Sequence, residues 1–195
     1  AAAKKTRSAI LLMGVLSHFF PEFQLPAAGG CHLGLRSVQP HVYALNHFGI
    51  NVQRDKDFYN IIKTDSKDSE VILYESGDTV TENAILAAAL SPRVTQIKYA
   101  SANYMVQDLC KFLEVLGVEF RGIGTTTIQV KGLETINKTV EYTISPDPIE
   151  AMFFLAAAVV TKSTLSLKGC PIEFLELELY KLSKMGLRCD KSETY

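Results

Sequence analysis

The chemistry this chain could perform is concentrated in residues 25–41. Gly29, Gly30 and Gly34 surround Cys31, His32 follows the cysteine directly, and Arg36 closes the glycine-rich run. Glycines allow tight, exposed backbone turns. A thiol in such a turn, beside a histidine and near a guanidinium, is stabilised as the thiolate and becomes reactive. Arg36 stands near the start of a helix expected over 38–48, where unpaired amides and the helix dipole also favour an anion. Its planar fork of donors suits a phosphate or a carboxylate. A surface turn with an incidental cysteine is the alternative that needs no chemistry.

Other chemistries fit less well. Cys31, His32 and His41 are ligand types for zinc, but their spacing matches no closed zinc site, and none of the four cysteines forms a C-x-x-C pair. A Cys–His hydrolase needs a third group to orient the histidine, and the sequence identifies none. His18 and His47 fall in helical stretches and read as partly packed structural residues. Arg7 opens the first apolar helix, where a cation opposes the dipole unless it faces an anionic ligand. Thr79 or Thr81 is expected to cap the helix after Gly77. Asp147, with Pro148 behind it, is expected to cap the helix after that turn.

The elements that must position these residues recur with a period of about seventy. Helix-like stretches over 38–48, 104–116 and 172–185 each end in a glycine, Gly49, Gly117 or Gly186, spaced 68 and 69 residues apart. A glycine just past a helix supplies the left-handed cap. Val106, Leu109, Cys110, Leu113 and Leu116 form one helical face. A second set, 8–16, 83–90 and 152–159, is apolar nearly all round and reads as helices buried on every side. Strands are expected over 23–25, 58–62, 71–74, 94–99, 118–120, 126–130, 140–144 and 163–167, with strand entries after the cap glycines at 50–52 and 187–189. One complete unit thus reads strand, buried helix, strand, amphipathic helix, strand, strand, from about 71 to 130. The unit before it lacks its first strand, and the unit after it stops after its second helix, so the chain reads as part of a longer one. A repeated α/β unit defines architecture and says nothing about chemistry.

Composition narrows the function classes. Apolar residues make up 47% and charged residues 21% of 195, which supports a packed core rather than disorder. Twenty Lys and Arg against 21 Asp and Glu give a net charge of -1, which argues against nucleic-acid binding by a broad basic face. The longest apolar run, 151–160, has ten residues, too few to span a membrane. The first residues do not read as a signal peptide, so reduced thiols and a cytoplasmic location are expected.

The cysteine loop, with Lys5–Thr6–Arg7–Ser8 upstream, Thr79–Val80–Thr81–Glu82–Asn83 and Ser145–Pro146–Asp147–Pro148–Ile149–Glu150–Ala151 downstream, resembles the UDP-N-acetylglucosamine enolpyruvyl transferase family. The likeness runs to about Arg188. It implies two domains of repeated βαβαββ units, each an inside-out α/β barrel, with residues 1–142 in the first domain and 143–195 beginning the second. The implied reaction moves the enolpyruvyl group of phosphoenolpyruvate to the 3'-hydroxyl of UDP-N-acetylglucosamine and releases phosphate, without metal or cofactor.

By that resemblance Cys31 is the catalytic loop cysteine, the residue that the epoxide fosfomycin attacks in the family. Arg7 and Arg36 hold anionic groups, Ser37, Val38, Gln39 and Pro40 line the nucleotide, and His41 supports the site. No nucleic-acid or membrane partner is implied. Leu73 stands where many members carry a lysine on the uridine side. The shikimate-pathway enolpyruvyl transferase shares the fold but uses no cysteine in this loop. An RNA 3'-phosphate cyclase would need nucleotide-charging residues that are not seen. A non-catalytic, anion-binding fragment remains the alternative from another class.

Overall fold

The computed structural model describes residues 6–27, 37–66 and 68–192. The chain divides into two compact units, Ala1–Tyr142 and Thr143–Tyr195.

In the first unit a 3-10 helix (Arg7–Leu11) runs into α1 (Leu12–Leu16), followed by β1 (Glu22–Pro26), α2 (Gln39–Asn46), β2 (Ile50–Asp55) and β3 (Phe58–Lys63). Then come β4 (Glu70–Ile72), α3 (Asp78–Ala89), β5 (Val94–Lys98), α4 (Tyr104–Leu116), β6 (Glu119–Arg121) and β7 (Thr127–Lys131). The strands form two sheets, ordered β1-β3-β2 and β4-β5-β7-β6. Taking β1, β2 and β3 as counterparts of β5, β6 and β7, the two orders are identical, with antiparallel pairing throughout those three strands. β4 joins β5 in parallel and supplies the strand that the first repeat lacks.

Both central strands show why the sheets form. Tyr59 and Ile61 of β3, and Ile128 and Val130 of β7, alternate with solvent-facing residues and sit in the core. α4 presents Val106, Cys110 and Leu113 to the same core, with Leu109 and Leu116 packed at its edge. Gly117 ends it at φ +110°, donating to the carbonyls of Leu113 and Glu114. Gly49 and Gly186 adopt the same left-handed conformation at φ +72° and +99°. α3 is the centre of the unit: Ile85, Ala87, Ala88 and Ala89 are all buried, with Ala84 beside them.

In the second unit α5 (Pro148–Thr161) is capped by Asp147, whose carboxylate accepts from the amides of Ile149 and Glu150. A 3-10 turn (Ile172–Phe174) and α6 (Glu176–Lys184) follow.

Four expectations fail. The strands foreseen at 140–144, 163–167 and 187–189 do not form, because no strand is present among described residues 143–192 to pair with them. Tyr142 is instead held by its side chain, with its hydroxyl 2.8 Å from Asp108 Oδ1 and its ring edge-on to Phe112. α5 is not buried: Phe153 is 69% and Val160 81% exposed, and only Pro148 and Ala158 are covered. No strand among described residues 143–192 offers it a sheet to pack on. The stretch 8–16 is not buried on every side either. Ala9, Ile10, Met13 and Gly14 face the core while Leu12 is exposed. Finally, neither Thr79 nor Thr81 caps α3. Gly77 occupies the N-cap without a side-chain bond, and Thr81 donates back to the Gly77 carbonyl while accepting from the Ser101 amide.

Candidate functional site

Arg7 begins the first helical turn, whose N-cap, Thr6, accepts from the Ser8 amide. This fixes the backbone from which the guanidinium extends. Arg7 Nη2 donates to the carbonyl of Ser37 at 3.4 Å. The cation therefore stands at the downstream end of the glycine-rich loop, where residues 37–41 enter α2. Ser37 Oγ accepts from the Gln39 amide, Pro40 occupies the first turn of α2, and the Val38 carbonyl accepts from His41 and Val42. The loop thus re-enters regular structure with Ser37, Val38, Gln39 and His41 in set positions.

Ser37, Val38 and Gln39 line a cavity of about 260 Å³ whose wall is completed by Val42, Val52, Arg54 and Tyr59. Arg54 and Tyr59 face each other across the β2–β3 ladder. Pro40 is buried and lies outside that lining.

His41 is 2% exposed. Burial lowers its pKa to about 4, and the nearby Arg7 charge pushes the same way, so the ring is neutral near pH 7. Its Nδ1 lies 3.2 Å from Asn83 Nδ2 and its Nε2 lies 3.4 Å from Thr79 Oγ1. Asn83, on α3, also donates to the Ile10 carbonyl at 3.1 Å and accepts from the Gly14 amide at 3.0 Å.

Arg7, Ser37 and His41 are thus brought together, with Val38 and Gln39 next to them. Cys31 and Arg36 lie outside the described residues. Leu73, expected to stand where many family members carry a lysine, is 3% exposed and belongs to the core. His18, read as structural, holds the Leu86 carbonyl at 3.0 Å, and burial lowers its pKa. His47 pairs with Asp68 at 3.0 Å. As site residues the sequence reading missed Arg54 and Tyr59, and it held Thr79 only as a cap candidate and Asn83 only as part of the family-like run 79–83. Asn83 left one signal: an amide within an otherwise apolar helix must find partners once buried.

Known proteins resemble this chain in sequence and in fold. The sequence profile described as EPSP synthase (3-phosphoshikimate 1-carboxyvinyltransferase) matches residues 1–195. A UDP-N-acetylglucosamine 1-carboxyvinyltransferase of Legionella pneumophila is 33% identical over 193 residues, covering 97% of this chain and 38% of its own length. One from Nitratidesulfovibrio vulgaris is 35% identical over 191 residues, covering 97% and 45%. The chain thus spans less than half the length of these curated relatives. Among solved structures, the enolpyruvyl transferase NikO from Streptomyces tendae matches with a TM-score of 0.73 at 16% identity, covering 94% of this chain and 45% of that one. EPSP synthase from Acinetobacter baumannii gives 0.54 at 19% identity, covering 77% and 34%. The α/β architecture is that of the enolpyruvyl transferases, and the chain belongs to the EPSP synthase (3-phosphoshikimate 1-carboxyvinyltransferase) family.

Proposed function

We propose that this chain is the substrate-holding part of a cytoplasmic UDP-N-acetylglucosamine enolpyruvyl transferase acting in peptidoglycan precursor synthesis. Residues 1–142 belong to its first domain and 143–195 begin its second. The single observation that supports this most is the contact of Arg7 with Ser37. It sets a guanidinium at the end of the loop that carries Cys31 and Arg36, in a chain 33–35% identical to proteins named for this reaction.

The chemistry follows from those groups. Phosphoenolpyruvate brings a phosphate and a carboxylate, and the sugar nucleotide brings a diphosphate. Arg7 and Arg36 offer paired donors to such anions. Cys31, in a loop with Arg36 and His32, supplies a thiol of the kind that gives a proton to the enolpyruvyl carbon or adds to it. The oxygen of the 3'-hydroxyl bonds to the central carbon of phosphoenolpyruvate as the double bond opens. The methylene carbon gains a proton and the hydroxyl gives up its own, so the net change is addition of O–H across the double bond. Loss of phosphate, with a proton from the neighbouring carbon, then restores the double bond. Ser37, Val38, Gln39 and Pro40 flank the nucleotide, and neutral His41 supports them from below without adding a charge.

Turnover tests the reading. In a protein of the relatives' full length that carries this chain, phosphate should be released from phosphoenolpyruvate when UDP-N-acetylglucosamine is present, and fosfomycin with the sugar nucleotide should add to Cys31 alone by peptide mapping. The chain by itself is expected to be inactive. Release supported only by shikimate 3-phosphate would move the chain to the other branch of the family. With a plain alkylating reagent Cys31 should react first and Cys110 last, since burial pushes the Cys110 thiol up to about 12. Labelling of Cys110 ahead of Cys31 would remove the thiol from the mechanism.

A further inference from the structure

We infer that Asn83 is the positioning residue of this anion site: it locks the Arg7 segment to the start of α2 and fixes which nitrogen of His41 carries the proton. The inference rests on the site read above, but its geometry stands by itself.

Asn83 is fully buried in the middle of α3, and its amide reaches three partners on two segments, the helical stretch Arg7–Leu16 and α2. The orientation of that amide is settled by its main-chain partners. The Gly14 N–H can only donate, so the atom that faces it at 3.0 Å is the oxygen. The Ile10 carbonyl can only accept, so the atom 3.1 Å from it is the nitrogen. The second hydrogen of that nitrogen then points at His41 Nδ1, 3.2 Å away. Nδ1 must therefore be a bare acceptor, and the ring proton sits on Nε2, facing the Thr79 hydroxyl at 3.4 Å. A charged imidazolium, with hydrogens on both nitrogens, has no place in this arrangement.

One side chain thus joins the segment that carries Arg7 to the helix start that follows the cysteine loop. Ile10 lies one turn after Arg7 in the same short helix, and His41 lies one turn after Ser37, whose carbonyl Arg7 touches. Asn83 closes the ring Arg7–Ser37–His41–Asn83–Ile10. Loss of its donors would free the two segments to move relative to each other, and a cation displaced by an ångström from its anion loses much of its grip.

Asn83→Asp tests this with the same shape and no hydrogens to donate. In the unaltered protein, nitrogen-15 NMR should find His41 neutral and protonated on Nε2 between about pH 5 and 8. In Asn83→Asp the carboxylate demands a donor, so the proton should appear on Nδ1, as the other tautomer or as imidazolium. Calorimetry with phosphoenolpyruvate should show affinity weakened on the order of tenfold or more. The variant's affinity should also vary across that pH range where the unaltered protein's stays flat. A proton on Nδ1 in the unaltered protein overturns the inference even if the variant fails to fold. So does a folded variant in which His41 Nδ1 stays without a proton, or one that binds phosphoenolpyruvate as before. Absence of binding by the unaltered protein would count against the transferase reading, while the tautomer would still decide the role of Asn83.

Discussion

α3 and α5 are close in sequence and opposite in surroundings. Each is an apolar helix built round three consecutive alanines, at 87–89 and 156–158. α3 buries nine residues between the neighbouring helices and the sheet of β4 to β7, whereas α5 buries two and leaves Ile149, Phe153 and Val160 in solvent. An apolar run therefore specifies a helix meant for covering, but the covering belongs to other segments. In Ala1–Tyr142 they are present; in 143–192 no described strand lies against α5.

The sharpest way to break this contrast is to cut one large side chain from each helix. Ile85→Ala should cost about 2–5 kcal/mol by denaturant unfolding, because it opens a cavity in a fully buried site. Phe153→Ala should stay within about 0.5 kcal/mol, as for other solvated positions. A comparable loss from both would mean that α5 is covered in solution.

A second contrast is one of pH. All four histidines lie in Ala1–Tyr142. Burial holds His41 at about 4 against 6.5 when unfolded, so the unfolded chain takes up its proton first as pH falls. His41 thus contributes stability that is complete above pH 6.5 and is lost as pH falls towards 4, on the order of 3 kcal/mol in all. His18 pulls in the same direction. Urea melts at pH 7, 5.5 and 4.5 should show the decline in probes of the first unit. His41→Gln should flatten it, and an unchanged slope in that variant would remove His41 as the cause.

The smallest contrast is between cap glycines. A methyl added to Gly49 would sit 2.3 Å from the Thr64 carbonyl oxygen, whereas one added to Gly186 meets nothing within 4 Å. Both positions carry the left-handed backbone strain, about 1–2 kcal/mol for an alanine. Gly49→Ala should therefore lower the melting temperature clearly more than Gly186→Ala. Equal shifts would show that the turn at Gly49 relaxes.

Local chemistry made much of the fold legible. The period of α4, the glycines that end three helices and the Asp147 cap all act within a few residues, and each forms as read. The recurrence of the α/β unit in two repeats was legible because patterning recurs with the period; the order of the strands within each sheet comes from the structure. What was not legible is what distant segments supply. Thr79 has the composition of a cap, yet its hydroxyl meets His41 instead. Asn83 acts through partners 42, 69 and 73 residues away, which no local pattern announces. The three strands that fail had suitable residues and no described partner. At the site, Arg7, Ser37 and His41 were foreseen as contributors, but the amide that joins them was not.

The close approach of α1 to α3 constrains how this protein can change over generations. A methyl on Gly14 would lie 2.6 Å from Asn83 Oδ1 and 2.7 Å from the Asn83 main-chain carbonyl. Trimming Asn83 removes only the first of these obstacles, since the carbonyl is present whatever side chain stands there. The requirement at 14 is therefore independent of what stands at 83: a lineage keeps glycine there, and any larger residue must arrive with a shift of α1 away from α3.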